Sequence, residues 1–162
     1  MTRTVRVIAS DFDGTILRGG AQRVDEIYFD QIRELKKRGI SFIAASGRQY
    51  ANLRRILEPV ADEIAFICEN GALAAQGRRI LYQEGIDRRL GLLLTSDMQK
   101  IKGTETVVSG ADASYLLPGS PVFEAFLRDR VRNNVRVLDC FEDMPVPMIK
   151  ISIFWPDGIP RE

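Results

Sequence analysis

The sequence predicts an α/β protein: a parallel sheet built in the first half of the chain, followed by a smaller α+β unit. Three observations carry this. Short apolar runs, "VRVIAS", "ISFIAAS" and "EIAFICE", recur with helix-like segments between them. Each run reads as a strand buried on both faces rather than as an alternating, half-solvated one. From about residue 85 the rhythm changes to shorter strands broken by turns. A β-α-β-α-β series closes most simply as parallel strands with right-handed crossovers.

Taken in order, Val5 to Ser10 forms the first strand. "DEIYFDQIRELKKRG" forms a helix, with Ile27, Ile32 and Leu35 near one face and Lys36, Lys37 and Arg38 in the last turn, where they suit the helix dipole. Gly39 is its natural stop. Ile40 to Ser46 is the second strand, "QYANLRRILEPV" a second helix ended by Pro59, and Glu63 to Glu69 the third strand. "GALAAQGRRILYQEG" is a hairpin turning at Gln76-Gly77. Beyond it, "DRRLGLLLTSDMQKI" is a helix and "ETVVSGADASYLL" two strands about a Gly-Ala-Asp turn. "SPVFEAFLRDRVR" is a helix capped by Ser120 with Pro121 at its first position, and "NVRVLD" and "PMIKISIF" are further strands. The expected division is residues 1–84 and 85–162.

Composition narrows the function. Of 162 residues, 45% are apolar and 28% charged, and the net charge is +1. That balance gives a globular chain with no field that favours nucleic acid or an anionic membrane. The arginine pairs at 54–55, 78–79 and 88–89 are scattered among acids. Cys68 and Cys140 stand far apart in apolar surroundings and read as buried free thiols, which suits a reducing cytoplasm. There is no signal-peptide pattern and no apolar run of membrane-spanning length. The chain has no histidine. Ser-His-Asp and Cys-His catalysis are thereby excluded, along with most zinc sites, leaving carboxylates, hydroxyls, lysine or a hard metal.

The chemistry concentrates at the strand ends. Asp11 and Asp13 follow the first strand, and side-chain alternation starts them on one side. Gly14 permits a tight turn, Thr15 adds a hydroxyl, and the turn's backbone N–H groups, from Phe12 onward, can cradle an anion. Carboxylates beside an anion nest call for a hard cation, and magnesium suits them. The second strand ends in Ser46, Gly47 and Arg48, and the third in "ENGA", with Asn70 and Gly71. Parallel strands deliver these ends to one crevice, where open sheets bind ligands.

"DFDGT" after an apolar strand resembles the first motif, D-x-D-G-[TV], of the haloacid dehalogenase-like superfamily. "ASGR" and "NGA" are similar to motifs of its Cof-type, sugar-phosphatase-like branch, and "KISIF" resembles a strand of that branch's large α+β cap. The resemblance implies a partial Rossmann-like core over 1–84 and a cap over 85–162. It also implies a magnesium-dependent phosphatase of small phosphorylated metabolites. Asp11 would be the nucleophile and Asp13 the general acid and base. Magnesium would lie between the Asp11 carboxylate, the Asp13 backbone carbonyl and the phosphate, while Ser46 orients the phosphoryl group and Arg48 meets substrate. The phosphate set is Phe12, Gly14, Thr15, Ser46, Gly47, Arg48 and Asn70.

The family pattern also has a later lysine and a G-D-x-x-x-D-like acidic pair. No Gly-Asp dipeptide occurs in the chain; Asp139 and Asp143 lack the glycine and fall in the cap by chain order, and Lys150, between Ile149 and Ile151, reads as the solvent-facing position of an alternating strand, so all three are weak substitutes. Two expectations follow: weak or absent turnover by these residues alone, and an apolar first strand at a sheet edge, covered by another chain such as a second copy, by a rearranged tail of this chain, or by crystal contacts. The alternatives to an enzyme are a non-catalytic remnant binding a phosphorylated ligand, and a partial core completed by a second polypeptide.

Overall fold

The computed structural model describes residues 4–19, 21, 23–156 and 158. The end of "WPDGIPRE" lies mostly outside them. The chain forms two compact units, one running to Gln83 and the other starting at Glu84.

The first unit is a five-stranded sheet in the order β1-β2-β3-β4-β5. The strands are β1 (Val7–Asp11), β2 (Ser41–Ala45), β3 (Ala65–Cys68), β4 (Leu73–Gln76) and β5 (Arg79–Gln83). β1, β2 and β3 are mutually parallel; β4 and β5 add an antiparallel hairpin. The crossovers are α1 (Glu26–Lys37) and α2 (Tyr50–Ile56). Phe42 and Ala44 of β2, Phe66 and Cys68 of β3, and Leu73 and Ala75 of β4 are buried at every second position, as the pleat requires.

Local signals set the helix ends. Asp25 caps α1 by accepting from the Ile27 N–H at 3.1 Å. At the other end the Gly39 N–H reaches Lys36 O at 2.9 Å and the Ile40 N–H reaches Leu35 O at 3.0 Å. Gly39 has φ +72°, the left-handed turn that lets a helix close its last carbonyls and favours glycine.

Several expected details shift. α1 buries Phe29 and Ile32, while Ile27 is 57% exposed. Residues five apart lie about 140° round a helix, so Ile27 cannot share the Ile32 face, whereas Phe29, three residues away, can. α2 stops at Ile56, and Pro59 sits within a separate 3-10 turn, Glu58–Val60. The hairpin turns at Gly77-Arg78, because Gln76 still pairs with Arg79. Tyr50 and Arg54 both donate to Gly77 O, which ties α2 to that turn. β1 forms the sheet edge and pairs with β2, and Val5 and Val7 are 59% and 52% exposed.

The second unit is a four-stranded sheet in the order β8-β7-β6-β9. Its strands are β6 (Glu105–Ser109), β7 (Ser114–Leu116), β8 (Val135–Val137) and β9 (Lys150–Phe154). Its helices are α3 (Arg88–Met98) and α4 (Pro121–Ala125), the latter continued by a π-helical turn, Phe126–Val131. Neighbouring residues divide between two apolar clusters: Val108 and Tyr115 with Phe141, Met144 and Met148, against Val107 and Leu116 with Phe123 and Leu127. Alternation along β6 and β7 therefore serves both faces of the sheet. Ser120 caps α4, its hydroxyl oxygen accepting from the Phe123 N–H at 3.2 Å. The last strand starts at Lys150, later than "PMIKISIF" suggested, since Met148 and Ile149 are already buried before it. Cys68 is buried, whereas Cys140 is only half-buried.

No described helix is long and apolar enough to cross a membrane.

The α1 face gives a direct test. Phe29→Ala should cost about 3–5 kcal/mol of unfolding free energy. Ile27→Ala should change it by about 0.5 kcal/mol or less. Urea unfolding of the two variants measures both, and similar costs would contradict the burial described.

Candidate functional site

The site begins where β1 runs out. Phe12 is fully buried, and its carbonyl accepts the N–H groups of Thr15, Ile16 and Leu17 at 3.3, 3.1 and 2.7 Å. The Gly14 N–H returns to Leu17 O at 2.9 Å, with Gly14 at φ +89°. Phe12 and Leu17 are thus apolar anchors beneath a tight turn, and Asp11, Asp13, Gly14 and Thr15 are left on its exposed side.

The two carboxylates are handled differently. Asp11 Oδ2 accepts from the Thr15 hydroxyl at 3.0 Å. Asp13 reaches across to the end of β2. Arg48 Nη2 donates to its Oδ1 at 2.7 Å, Arg48 Nε lies 3.0 Å from both oxygens, and the Ser46 hydroxyl donates to Oδ2 at 3.0 Å. The Arg48 guanidinium beside Asp13 holds its carboxyl below the usual carboxylate range; partial burial opposes this, and the Ser46 hydrogen bond adds to it. A two-pronged arginine contact of this kind fixes orientation as well as charge.

The end of β2 is held in turn. The Arg48 N–H donates to Ser46 Oγ at 3.1 Å, and the Glu69 N–H donates to Arg48 O at 3.1 Å. Glu69, Asn70 and Gly71 form a 3-10 turn after β3 with φ values of 51°, 59° and 100°. For the two non-glycine residues that conformation is uncommon. A Cβ on Gly47 would strike the Asn70 side-chain oxygen, so the glycine is what lets Asn70 lie against this backbone. Three loops from three neighbouring strand ends are therefore joined, the first to the second through Asp13 and the second to the third through Arg48 O and Gly47.

All the residues singled out in "DFDGT", "ASGR" and "NGA" thus meet at one edge of the first unit's sheet. Lys150, Asp139 and Asp143 lie in the second unit. Two further residues matter. Asn52, on α2, is 2% exposed and accepts from Arg48 Nη1 at 3.2 Å. Glu69 is buried at 3% exposure. The i,i+4 spacing of Arg48 and Asn52 was the signal available for the first; nothing in the sequence distinguishes Glu69 from a surface acid. For a divalent cation the chain offers hard oxygens: the exposed Asp11 carboxylate and the Asp13 backbone carbonyl. The Asp13 carboxylate is already engaged by Arg48 and Ser46. Such a donor set fits magnesium completed by water and phosphate oxygens. Among the described residues, no cluster of three or more metal-ligating side chains occurs.

Comparison with known proteins identifies the family and the fold. The sequence pattern of the haloacid dehalogenase-like hydrolases matches residues 8–156. The 5-amino-6-(5-phospho-D-ribitylamino)uracil phosphatase YbjI of Escherichia coli (strain K12) is 27% identical over 114 residues, covering 70% of this chain and 42% of that protein. A crystal structure from Eubacterium rectale superposes with a TM-score of 0.83 at 25% identity, over 94% of this chain and 58% of the other. The subclass IIB sugar phosphatase BT4131 superposes with a TM-score of 0.74 at 18% identity, over 93% of this chain and 58% of the other. The chain therefore spans about two fifths of the length of that curated relative. With the motif residues gathered at one sheet edge and the pattern matched from residue 8 to residue 156, the chain belongs to the haloacid dehalogenase-like hydrolase family.

Proposed function

We propose that the chain carries the nucleophile-bearing and phosphoryl-binding part of a magnesium-dependent phosphatase of small phosphorylated metabolites, such as sugar phosphates. In this reading residues 1–84 are half of a Rossmann-like core and 85–162 belong to the cap. The observation that carries it is the turn after β1, which presents Asp11 and Asp13 together, with Asp13 bound by Ser46 and Arg48 from the neighbouring strand end. The names of the phosphatase from Escherichia coli and of the sugar phosphatase support the substrate class.

An oxygen of the Asp11 carboxylate forms a bond to phosphorus as the ester P–O bond breaks, giving an aspartyl-phosphate and an alcohol. The Thr15 hydroxyl orients that carboxylate. Asp13 gives a proton to the leaving alkoxide, then takes one from the water that attacks phosphorus and releases phosphate and the Asp11 carboxylate. Ser46, Arg48, Gly47 and Asn70, with the backbone of Phe12, Gly14 and Thr15, bind the phosphoryl oxygens. Bound magnesium supplies charge neutralisation at the transferring group. Arg48 sets a condition on this scheme. A carboxylate held by a guanidinium stays ionised, so the contact between Asp13 and Arg48 must open before Asp13 can carry the proton it donates.

The outer edge of β1 is where we place a further strand or a second copy of the chain. We place the protein in the cytoplasm. We also propose that magnesium binding and turnover by these 162 residues alone are weak, because Arg48 and Ser46 already engage the Asp13 carboxylate and leave Asp11 as the exposed carboxylate among the described residues of the first loop.

Beryllofluoride with magnesium mimics an aspartyl-phosphate and needs no turnover. The chain should bind it saturably and Asp11→Asn should abolish binding, both followed by fluorine NMR; binding that survives Asp11→Asn would remove Asp11 as nucleophile.

The Asp13 pair makes a second prediction. Its folded pKa lies below its unfolded value, so the pair's contribution to stability is present above about pH 4 and is lost as pH falls through the depressed value. Arg48→Met should raise the Asp13 midpoint toward the ordinary carboxylate range, read by carboxyl carbon NMR. An unchanged midpoint would mean that Arg48 is not its controlling partner.

A further inference from the structure

We propose that Asn52 is the positioning residue for the phosphate-site arginine: its buried side-chain carbonyl holds Arg48 Nη1 and so presents Nε and Nη2 to the anion at the mouth of the site. That anion is the Asp13 carboxylate in the structure and the phosphoryl group of a bound monoester in the reaction; this second half rests on the phosphatase reading above.

The argument starts from α2. The helix buries two side chains, Asn52 and Leu53. Leu53 is ordinary packing. A buried amide is different, because an amide removed from water without partners is destabilising. Asn52 Oδ1 accepts from Arg48 Nη1 at 3.2 Å, four residues back along the chain. An arginine guanidinium is rigid and planar, so fixing Nη1 from one side fixes where the other edge points. That other edge, Nε and Nη2, faces Asp13 at 3.0 and 2.7 Å.

The Arg48 side chain is only 16% exposed, while the Asp13 side chain is 48% exposed. The cation is therefore the built-in member of the pair and the carboxylate the exchangeable one. A phosphoryl group carries more negative charge than one carboxylate and offers the same bidentate geometry. It can take the place of Asp13 on an arginine that does not itself have to move, provided Asn52 keeps the guanidinium in plane. Asp13 is then freed for proton transfer at the step that needs it.

The test reads the arginine directly. In the nitrogen-15-labelled chain, with Arg48→Lys to assign the signal, solvent exchange of the Arg48 Nε–H is measured in the wild type, Asn52→Leu and Asn52→Asp. Asn52→Leu should speed exchange about tenfold, the scale of one lost hydrogen bond to a charged group. Asn52→Asp, which keeps an acceptor in place, should restore slow exchange. If Asn52→Leu does not fold, Asn52→Ala removes the acceptor without added bulk and is read the same way. A purely structural amide would lower stability but leave the Nε–H signal as in the wild type. Acceleration below about threefold, or failure of Asn52→Asp to restore slow exchange, overturns the proposal.

Inorganic phosphate with magnesium gives the second arm. Its dissociation constant should rise about tenfold in Asn52→Leu, and equal affinity for both proteins overturns the proposal. No phosphate binding by the wild type overturns the phosphatase reading instead, and the exchange experiment then decides the role of Asn52 alone.

Discussion

The contact on which the site depends is the one between Arg48 and Asp13. "DFDGT" places two carboxylates two residues apart on a turn whose buried anchors, Phe12 and Leu17, allow neither to retreat. Read from the sequence alone, like charges so near in the chain are expected to repel each other. The chain separates their fates: Asp11 receives a neutral hydroxyl from Thr15, and Asp13 receives a cation from the next strand. From the sequence, a metal seemed the natural answer to that repulsion. The structure shows that the protein supplies part of the answer itself. Exposed ion pairs contribute only about 0–1 kcal/mol to folding, and half of the Asp13 side chain is exposed. The contact thus does little for stability and much for geometry.

That division also sets the chemical tension in the site. In the proposed reaction Asp13 must hold a proton when the leaving group departs, and Arg48 pushes it the other way. The tension resolves if the partners of Arg48 change during the reaction. A doubly charged phosphoryl group is the competitor best able to make that change, since it meets the same donors in the same plane. The arrangement is therefore consistent with a resting pair and a working pair that share one arginine.

Much of the fold was legible because its signals are local. Asp25, Gly39, Ser120 and Pro121 each announce a helix end within three or four residues, and the three apolar runs announce parallel strands. The site motifs were legible for the same reason, being short and placed at strand ends. What was hidden depends on contacts over distance. Asp13 and Arg48 are 35 residues apart, and no pattern in either loop says that they bond. Asn52 sits in "YANLRRI" among arginines; its spacing of four from Arg48 is local, but its burial against the rest of the first unit is not visible in the sequence. Ile27 erred in the opposite direction: an apolar residue at a plausible helical spacing, but on the wrong side of α1, where Phe29 takes the core position.

The third loop brings the argument back to the same residue. Glu69 and Asn70 both have positive φ, a conformation that costs a residue such as glutamate about 1–2 kcal/mol and that asparagine tolerates better. It is retained because the Glu69 N–H is bonded to Arg48 O and because Gly47 leaves room for the Asn70 side chain. Arg48 accordingly serves the site twice, by separable means. Its backbone carbonyl holds the third loop, and its side chain holds the first. A change of side chain at this position removes the link to Asp13 while the backbone link to Glu69 needs no side chain at all. The loops can therefore stay assembled when the guanidinium leaves Asp13, which is what the proposed exchange of one anion for another requires.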